Sequence, residues 1–439
     1  MLYIKNGNLI SPAENRMFQG DILIEEGKIA AVYDHTKGER LPEKLPEMAE
    51  VIEAEGLLVG PGLIDTHVHF REPGFTYKED IFSGSEAAKK GGYTGIVLMA
   101  NTKPAVDNAE TLKYVLEKGA RTSIRIYSCA NITLGMKGEQ LTDMELLSEH
   151  GAVGFTDDGI PLLKGEIVRK AMEQAKVLGK PVSFHEENPE KITNNGIHAG
   201  KASAHYGIGG SPREAEIDLV ERDLKLALAT GAETVIQHIS TKESVELLRR
   251  AKEKGANLHG EATPHHFTLT ETAAILKGTL AKMNPPLREE EDRLAIIEGL
   301  KDGTIDLIAT DHAPHSREEK AGRITEAPSG IIGLETALSL GIRELVNQGY
   351  LTYPELFRRM SAAPAALYGL PGGNIAVGEA ADLVMFAPEE EWVVREEEFF
   401  SKSSNSPFIG ETMPVVVYYT ICGGSVVYQK KEERKESLS

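Results

Sequence analysis

From residue 63 to residue 311 the chain repeats one alternation, and few folds accommodate it. A short, almost wholly apolar run is followed by a stretch of helical period, and then another apolar run begins. The runs fall at 63–69, 94–99, 124–129, 152–156, 182–185, 234–238, 257–261 and 305–311. Helical patterns lie between them, for example at 107–119, 165–178, 212–230 and 240–254. Strands that need not alternate apolar with polar are buried on both faces, which is the condition of a parallel sheet covered by helices. Eight such units describe a (β/α)8 barrel of the TIM type, an α/β fold.

The flanks follow a different rule. Residues 2–56 hold short β runs separated by Gly or Asn-Gly turns, with Glu25-Glu26-Gly27 a good hairpin turn. Gly60-Pro61-Gly62 is expected to act as a hinge into the barrel. Two helices are expected at about 332–349 and 353–369. After Pro371-Gly372-Gly373 the pattern returns to β at 381–386 and 414–429. The two flanks are expected to pair into one small β-sandwich. Residues 1–60 and 371–439 would be its halves, and 61–370 the barrel inserted between them. The charged tail is expected to fray. Glu389 to Glu391, just after Pro388, reads as an exposed charged loop.

Composition narrows the class of partner. Hydrophobic residues make up 41% of the 439, which suits a folded globular chain. A net charge of −19 argues against a nucleic-acid partner. Cys129 and Cys422 sit far apart in apolar stretches and read as buried thiols. No signal peptide is read, and no apolar run approaches the ~18 residues of a membrane span. A cytoplasmic protein without a membrane partner is expected.

The active site of such a barrel lies where the strands end, and polar residues gather there. His67 and His69 stand two apart on the first strand, so both imidazoles project from one face. A bare His-x-His also occurs on exposed strands, but this one follows Gly-Pro-Gly-Leu-Ile-Asp and precedes Arg-Glu-Pro-Gly. Asp157 and Asp158 end the fourth strand, His185 the fifth, His238 the sixth and Asp311 the eighth. Four imidazoles and two carboxylates at converging ends suit one or two divalent metals such as zinc. In a two-metal arrangement His67, His69 and Asp311 would hold one ion and His185 and His238 the other. A strand-4 carboxylate would lie between the ions. Spacing does not say whether Asp157 or Asp158 takes that place. Asp311 would also move the proton.

Arg71 presents a rigid fork for a carboxylate. Asn101 and Asn284 offer amides, and His315 can give a hydrogen bond or a charge to an anion. His265 and His266 have no obvious metal to hold, and His150, His198 and His205 read as solvated.

IDTHVHFREPG (64–74) and ATDHAPHSREEK (309–320) resemble the two signatures of the dihydroorotases in the amidohydrolase superfamily. GNIAVGEAADLVMF (373–386) is similar to the stretch where that superfamily re-enters its small β domain. GFTDDG (154–159) looks like the class I bacterial type, where an aspartate replaces the carboxylated lysine of many relatives. The resemblance covers nearly the whole chain. It implies reversible cyclisation of N-carbamoyl-L-aspartate to L-dihydroorotate, the third step of pyrimidine (UMP) synthesis, with two zinc ions per subunit. On the matched positions His67 and His69 bind the first zinc, Asp158 bridges, and His185 and His238 bind the second. Asp311 is ligand and general acid/base. His69, Arg71, Asn101, Asn284, His315, Ser329 and Gly330 fall where the family holds substrate. The family's Pro-Phe-Gly reads Pro328-Ser329-Gly330 here. The loop 312–330 is a candidate lid. A homodimer is expected, with assembly with aspartate transcarbamoylase as a further expectation. The competing enzyme reading is a dihydropyrimidinase (hydantoinase) or allantoinase, relatives that usually carry a lysine after the strand-4 Gly-Phe. The non-enzyme reading is a catalytically silent homologue that only assembles with aspartate transcarbamoylase.

Overall fold

The computed structural model describes residues 1–41 and 49–431, so most of the charged tail, 432–439, lies outside the described residues. The chain opens as a meander of β1 (Leu2–Ser11), β2 (Arg16–Glu25) and β3 (Lys28–Asp34). The tight turn between β2 and β3 places Glu26 and Gly27 at φ 50° and 75°, left-handed at both positions, as a two-residue hairpin requires. β4 (Glu50–Glu53) and β5 (Leu58–Pro61) then add to β1 in parallel. Gly60 and Pro61 therefore lie within a strand, and the hinge narrows to Gly62. A side chain at Gly60 would put its Cβ 2.2 Å from the Phe357 ring, so the close approach of sheet and helix needs glycine.

The barrel follows: β6 (Leu63–Val68), β7 (Tyr93–Leu98), β8 (Arg125–Ser128), β9 (Phe155–Thr156), β10 (Val182–Phe184), β11 (Thr234–Ile236), β12 (Leu258–Ala262) and β13 (Leu307–Ile308). All neighbouring pairs are parallel. The ladders form two arcs, β6-β7-β8 and β9 to β13. Single parallel bridges join them, Ala130 to Phe155 and Val68 to His312, and these close the barrel. Helices Ala109–Gly119, Gly165–Leu178, Glu214–Thr230 and Lys242–Glu253 occupy the expected positions. Most strands stop short of the runs read from sequence. The polar residues that end those runs leave the ladder and turn into the mouth. Alternation sorts the core: Ile96 packs outward with the helices, while Val97 and Met99 join Val235, Leu307 and Tyr368 inside.

The last strands are β14 (Leu383–Val393), β15 (Thr412–Cys422) and β16 (Ser425–Gln429). Both termini build one eight-stranded sheet, ordered β16-β15-β14-β5-β1-β2-β3 with β4 against β1. It curls over its own core of Ile4, Leu9, Ile22, Val59, Leu383 and Ile421. Glu389 to Glu391 belong to β14 and do not form a loop. The ladder breaks register after Ala387 and resumes at Glu391 opposite Pro414. A bulge of this kind tolerates Pro388 and leaves the charges at the surface. No helix among the described residues is long and apolar enough to cross a membrane.

Candidate metal centre and substrate pocket

Six side chains from five strand ends converge at the barrel mouth, all buried. His67 Nε2 lies 3.3 Å from Asp158 Oδ1 and 3.5 Å from Asp311 Oδ1. His69 Nε2 lies 3.4 Å from Asp158 Oδ2 and 2.9 Å from Asp311 Oδ1. On the other side His185 Nδ1 and His238 Nε2 are 2.8 Å apart, and each is 3.7 Å from Asp158 Oδ1. Asp158 thus stands between two pairs of imidazoles. Three overlapping sets, His67–His69–Asp158, His67–His238–Asp311 and Asp158–His185–His238, each bring their donor atoms within 4.8 Å of one another.

Asp157 is committed elsewhere. Its carboxylate accepts the Ile132 amide at 2.8 Å, the Thr133 amide and the Thr133 hydroxyl, holding the loop after β8. Of the two strand-4 acids, only Asp158 faces the histidines.

The donors fit a divalent cation. Buried polar atoms ordinarily find partners, yet His67 Nε2 and Asp158 Oδ1 have none by hydrogen bonding. Both are aimed at the common centre. Imidazoles and carboxylates without sulfur suit a borderline divalent ion.

Behind these groups sits a carboxylate that the sequence argument passed over. Glu261, buried at the end of β12, accepts the His67 Nδ1 proton at 2.8 Å and the His238 backbone amide at 3.1 Å. It fixes the His67 tautomer so that Nε2 faces the centre. The signal was present, since Glu261 closes the seventh apolar run. Asp65 accepts the His67 and Thr310 amides, and burial pushes its pKa up to about 7. Backbone strain collects here: Arg71, His238 and Asp311 have φ 59°, 32° and 45°. Such conformations cost roughly 1–3 kcal/mol each and persist where the surroundings over-determine them.

Burial opposes every charge in the cluster. For Asp158 it is outweighed by His67, His185 and His238, and the pKa falls well below the carboxylate range. For Asp311 it is outweighed by His67, His69 and His238, again lowering the pKa. His67 is raised well above the usual imidazole value, because Asp158, Glu261 and Asp311 overcome its burial. His69 is lowered by burial and by Arg71.

The other candidate residues divide into two groups. Arg71, His315, Ser329 and Gly330 meet on the loop side. Arg71 Nε donates to Pro314 O at 3.2 Å, and Nη2 is 3.4 Å from His315 Nε2. No carboxylate among the described residues lies within ion-pair distance of Arg71, so its fork remains available. His315 Nε2 donates to Ser329 O at 2.9 Å. Burial, Arg71, Lys78 and Lys320 drive the His315 pKa down to about 2, so the ring is neutral; its one N–H is spent on Ser329 O, and its Nδ1 accepts from Lys78 Nζ at 3.2 Å. A Cβ on Gly330 would meet Ala313 O at 2.5 Å and the His315 ring at 2.7 Å, which excludes any other residue there. Asn101 and Asn284 stand against the histidines instead. Asn101 Oδ1 accepts from His69 Nδ1 at 3.0 Å, and its Nδ2 donates to Asp158 O at 3.2 Å. Asn284 Nδ2 lies 3.4 Å from His185 Nε2, while its buried Oδ1 has no partner.

His198 is not solvated. It is buried, with Nδ1 3.0 Å from Arg288 Nη1, and its pKa falls to about 4 through burial and that guanidinium. His150 and His205 are exposed. His265 and His266 are buried, and His266 is satisfied by Thr263 and by Pro285 O.

A closed parallel barrel with imidazoles and carboxylates at its strand ends, beside a sheet made from both termini, is the architecture of a metal-dependent hydrolase. The chain belongs to the amidohydrolase family, whose model matches residues 58–427. Within that family it is similar to proteins named dihydroorotase. One from Clostridioides difficile (strain 630) is 50% identical, across 98% of this chain and 100% of that protein. One from Clostridium acetobutylicum is 48% identical with the same coverage. Among solved structures, the L-hydantoinase (dihydropyrimidinase) of Arthrobacter aurescens matches with a TM-score of 0.87 at 25% identity, covering 98% of this chain and 96% of that one.

Proposed function

We propose that the chain is a dihydroorotase that interconverts N-carbamoyl-L-aspartate and L-dihydroorotate. The single observation carrying this reading is the full-length identity of 50% to a protein of that name, together with six donor residues at one barrel mouth. In this reading His67, His69 and Asp311 hold one zinc ion, His185 and His238 the other, and Asp158 lies between them. When bound, the ions would polarise the amide carbonyl and lower the pKa of a water from about 15.7 toward roughly 7.

The protein's own groups do the rest. Asp311 accepts a proton from the attacking water at its carboxylate and returns it to the departing ring nitrogen. Arg71 pairs in fork geometry with the substrate's α-carboxylate. The Ser329 amide completes that contact, with the neutral His315 holding the Ser329 carbonyl and Gly330 leaving room for the His315 ring. Asn101 and Asn284 fix the orientations of His69 and His185 and present the remainder of their amides to the substrate. The loop 312–330 closes over it. The enzyme acts in the cytoplasm, in pyrimidine synthesis, as a homodimer.

The hydantoinase reading draws on the likeness in fold. Against it stand the lower identity, 25% against 50%, and the presence of Asp158 where those relatives usually place a lysine. Arg71, free of any internal carboxylate, also fits a ligand with an α-carboxylate, which hydantoin and allantoin lack. Metal analysis alongside assays of carbamoyl-aspartate, dihydroorotate, hydantoin and allantoin tests the proposal. Two metals per chain and turnover of the first pair only are expected. Turnover of hydantoin or allantoin in preference would overturn it, as would a chain without activity on any of the four.

A further inference from the structure

The loop carrying Ser329 and Gly330 has four consecutive carbonyls, and each is held by a donor. Lys282 Nζ donates to Ala327 O at 2.6 Å. Lys320 Nζ donates to Pro328 O at 3.0 Å and Gly330 O at 3.1 Å, with Lys282 O at 3.5 Å. His315 Nε2 donates to Ser329 O, and Asn405 Nδ2 also reaches Gly330 O at 3.0 Å. Lys320 is only 4% exposed. No carboxylate among the described residues lies within ion-pair distance of Lys320 or Lys282. The nearest acid in sequence, Glu319, is engaged by Lys78 at 2.9 Å and by the Ser316 amide. A buried ammonium without a counter-ion is expensive to maintain, so its placement calls for a reason.

Two physical facts supply one. An ammonium has three N–H donors, enough for the three carbonyls around Lys320, whereas a neutral amine has two. In a planar trans peptide the N–H points opposite the C=O. Tying Pro328 O to Lys320 therefore turns the Ser329 amide the other way.

We propose that Lys320, assisted by Lys282, is a positioning residue for substrate. It clasps the Pro328 and Gly330 carbonyls while Lys282 holds that of Ala327, and the Gly330 amide is itself tied to Lys282 O at 3.0 Å. The Ser329 amide is thereby held ready for an anionic group, and the uncompensated charge of Lys320 favours a dicarboxylate in the pocket. This rests on the dihydroorotase reading for the identity of the anion, and on geometry alone for the clasp.

The charged groups facing Lys320 are Lys282 from the segment before Asn284, Glu319 on its own helix, and Arg71 and Lys78 beyond the neutral His315. Burial and the like charge of Lys282 lower the Lys320 pKa to about 7. The ammonium is present below that pH and is lost above it, so the clasp loosens as pH rises.

The test compares the metal-loaded wild type with Lys320→Met and Lys320→Arg. Backbone hydrogen exchange at 327–331 is read without substrate, and KM and kcat are read between about pH 6 and 9. Lys320→Met should speed exchange there by about tenfold and raise KM by about tenfold, with metal content and kcat little changed. Wild-type KM should climb above about pH 7. Lys320→Arg, charged throughout, should recover KM and flatten that climb. Unchanged exchange and KM in Lys320→Met would overturn the proposal. Should that variant fail to fold, a Lys320→Arg profile that superimposes on the wild type would overturn it equally. If the wild type turns over neither substrate, the functional reading fails, while the exchange data still decide the clasp.

Discussion

The two ends of this pocket are built to the same tolerance by different means. At the metal end, the donor atoms of His67, His69, Asp158, His185, His238 and Asp311 stand on or just past strand ends. Their spacing is set by parallel ladders that cannot slip without losing every hydrogen bond along them. At the substrate end, Arg71, His315, Ser329 and Gly330 lie on loops with no ladder. Their order comes from side chains delivered from elsewhere: Lys282, Lys320 and Asn405, whose Oδ1 accepts the His315 amide at 3.1 Å and whose Nδ2 donates to Ala313 O and Gly330 O. Precision at the first end is a property of the fold, and at the second it is a property of a few buried polar contacts. Damage to the first should therefore appear in metal content and kcat, and damage to the second in KM.

The largest effect expected is at the metal end. Asp311→Asn keeps the shape but cannot accept a proton, so kcat should fall by about 10²–10⁴-fold while the melting temperature holds. Steady-state kinetics and a thermal melt measure both. Retention of most of the activity would remove Asp311 from the proton path. Next comes Glu261→Gln, which leaves an acceptor for the His238 amide but withdraws the negative charge behind His67. Metal affinity should drop by roughly 10–100-fold in a chelator competition. An unchanged affinity would mean that the ladder alone orients His67.

The same division explains what could be read from the chain before it was folded. The barrel was legible because its runs are continuously apolar, a pattern set by burial on both faces of each strand. Their lengths were overread: the run at 305–311 becomes β13 of only Leu307–Ile308, because Asp311 turns into the mouth with φ 45°. The imidazole pair His67 and His69 was legible from period two. Which of Asp157 and Asp158 faces inward was not legible from spacing, since neighbours on a strand point apart and spacing carries no register; only the family resemblance pointed to Asp158. Glu261 could have been found by applying the strand-end rule to the seventh run. Lys282, Lys320 and Asn405 could not, because their partners are distant and no periodicity marks them. His198 was misread for the same reason, its neighbour Arg288 lying 90 residues away. Glu389 to Glu391 were misread because a charged run after proline resembles a loop, and only the bulge in β14 lets it remain a strand.

Arg71→Ala belongs to the substrate end and should show the intermediate effect. Losing a charge-assisted fork removes about 1.5–3 kcal/mol of binding, so KM for carbamoyl-aspartate should rise about 10- to 150-fold with metal content unchanged. A fall in bound metal instead would mean that Arg71 acts through His69, and the division between the two ends would blur.

The smallest expected effect separates backbone from side chain within the substrate end. Ser329 contributes its carbonyl to His315, and its peptide is set by the donors on either side of it. Its hydroxyl makes no hydrogen bond among the described residues, and lies where a Cβ on Gly196 would come within 2.2 Å of Oγ, against the neighbouring loop. Ser329→Ala removes that oxygen and leaves every one of those backbone contacts in place, so kcat/KM should stay within about threefold of the wild type, a change of less than about 1 kcal/mol. A Ser329→Ala loss comparable to that of Arg71→Ala would show that the hydroxyl itself touches substrate. The loop would then read its ligand through a side chain, and the contrast with Lys320, whose hydrogen bonds go only to carbonyls, would have to be redrawn.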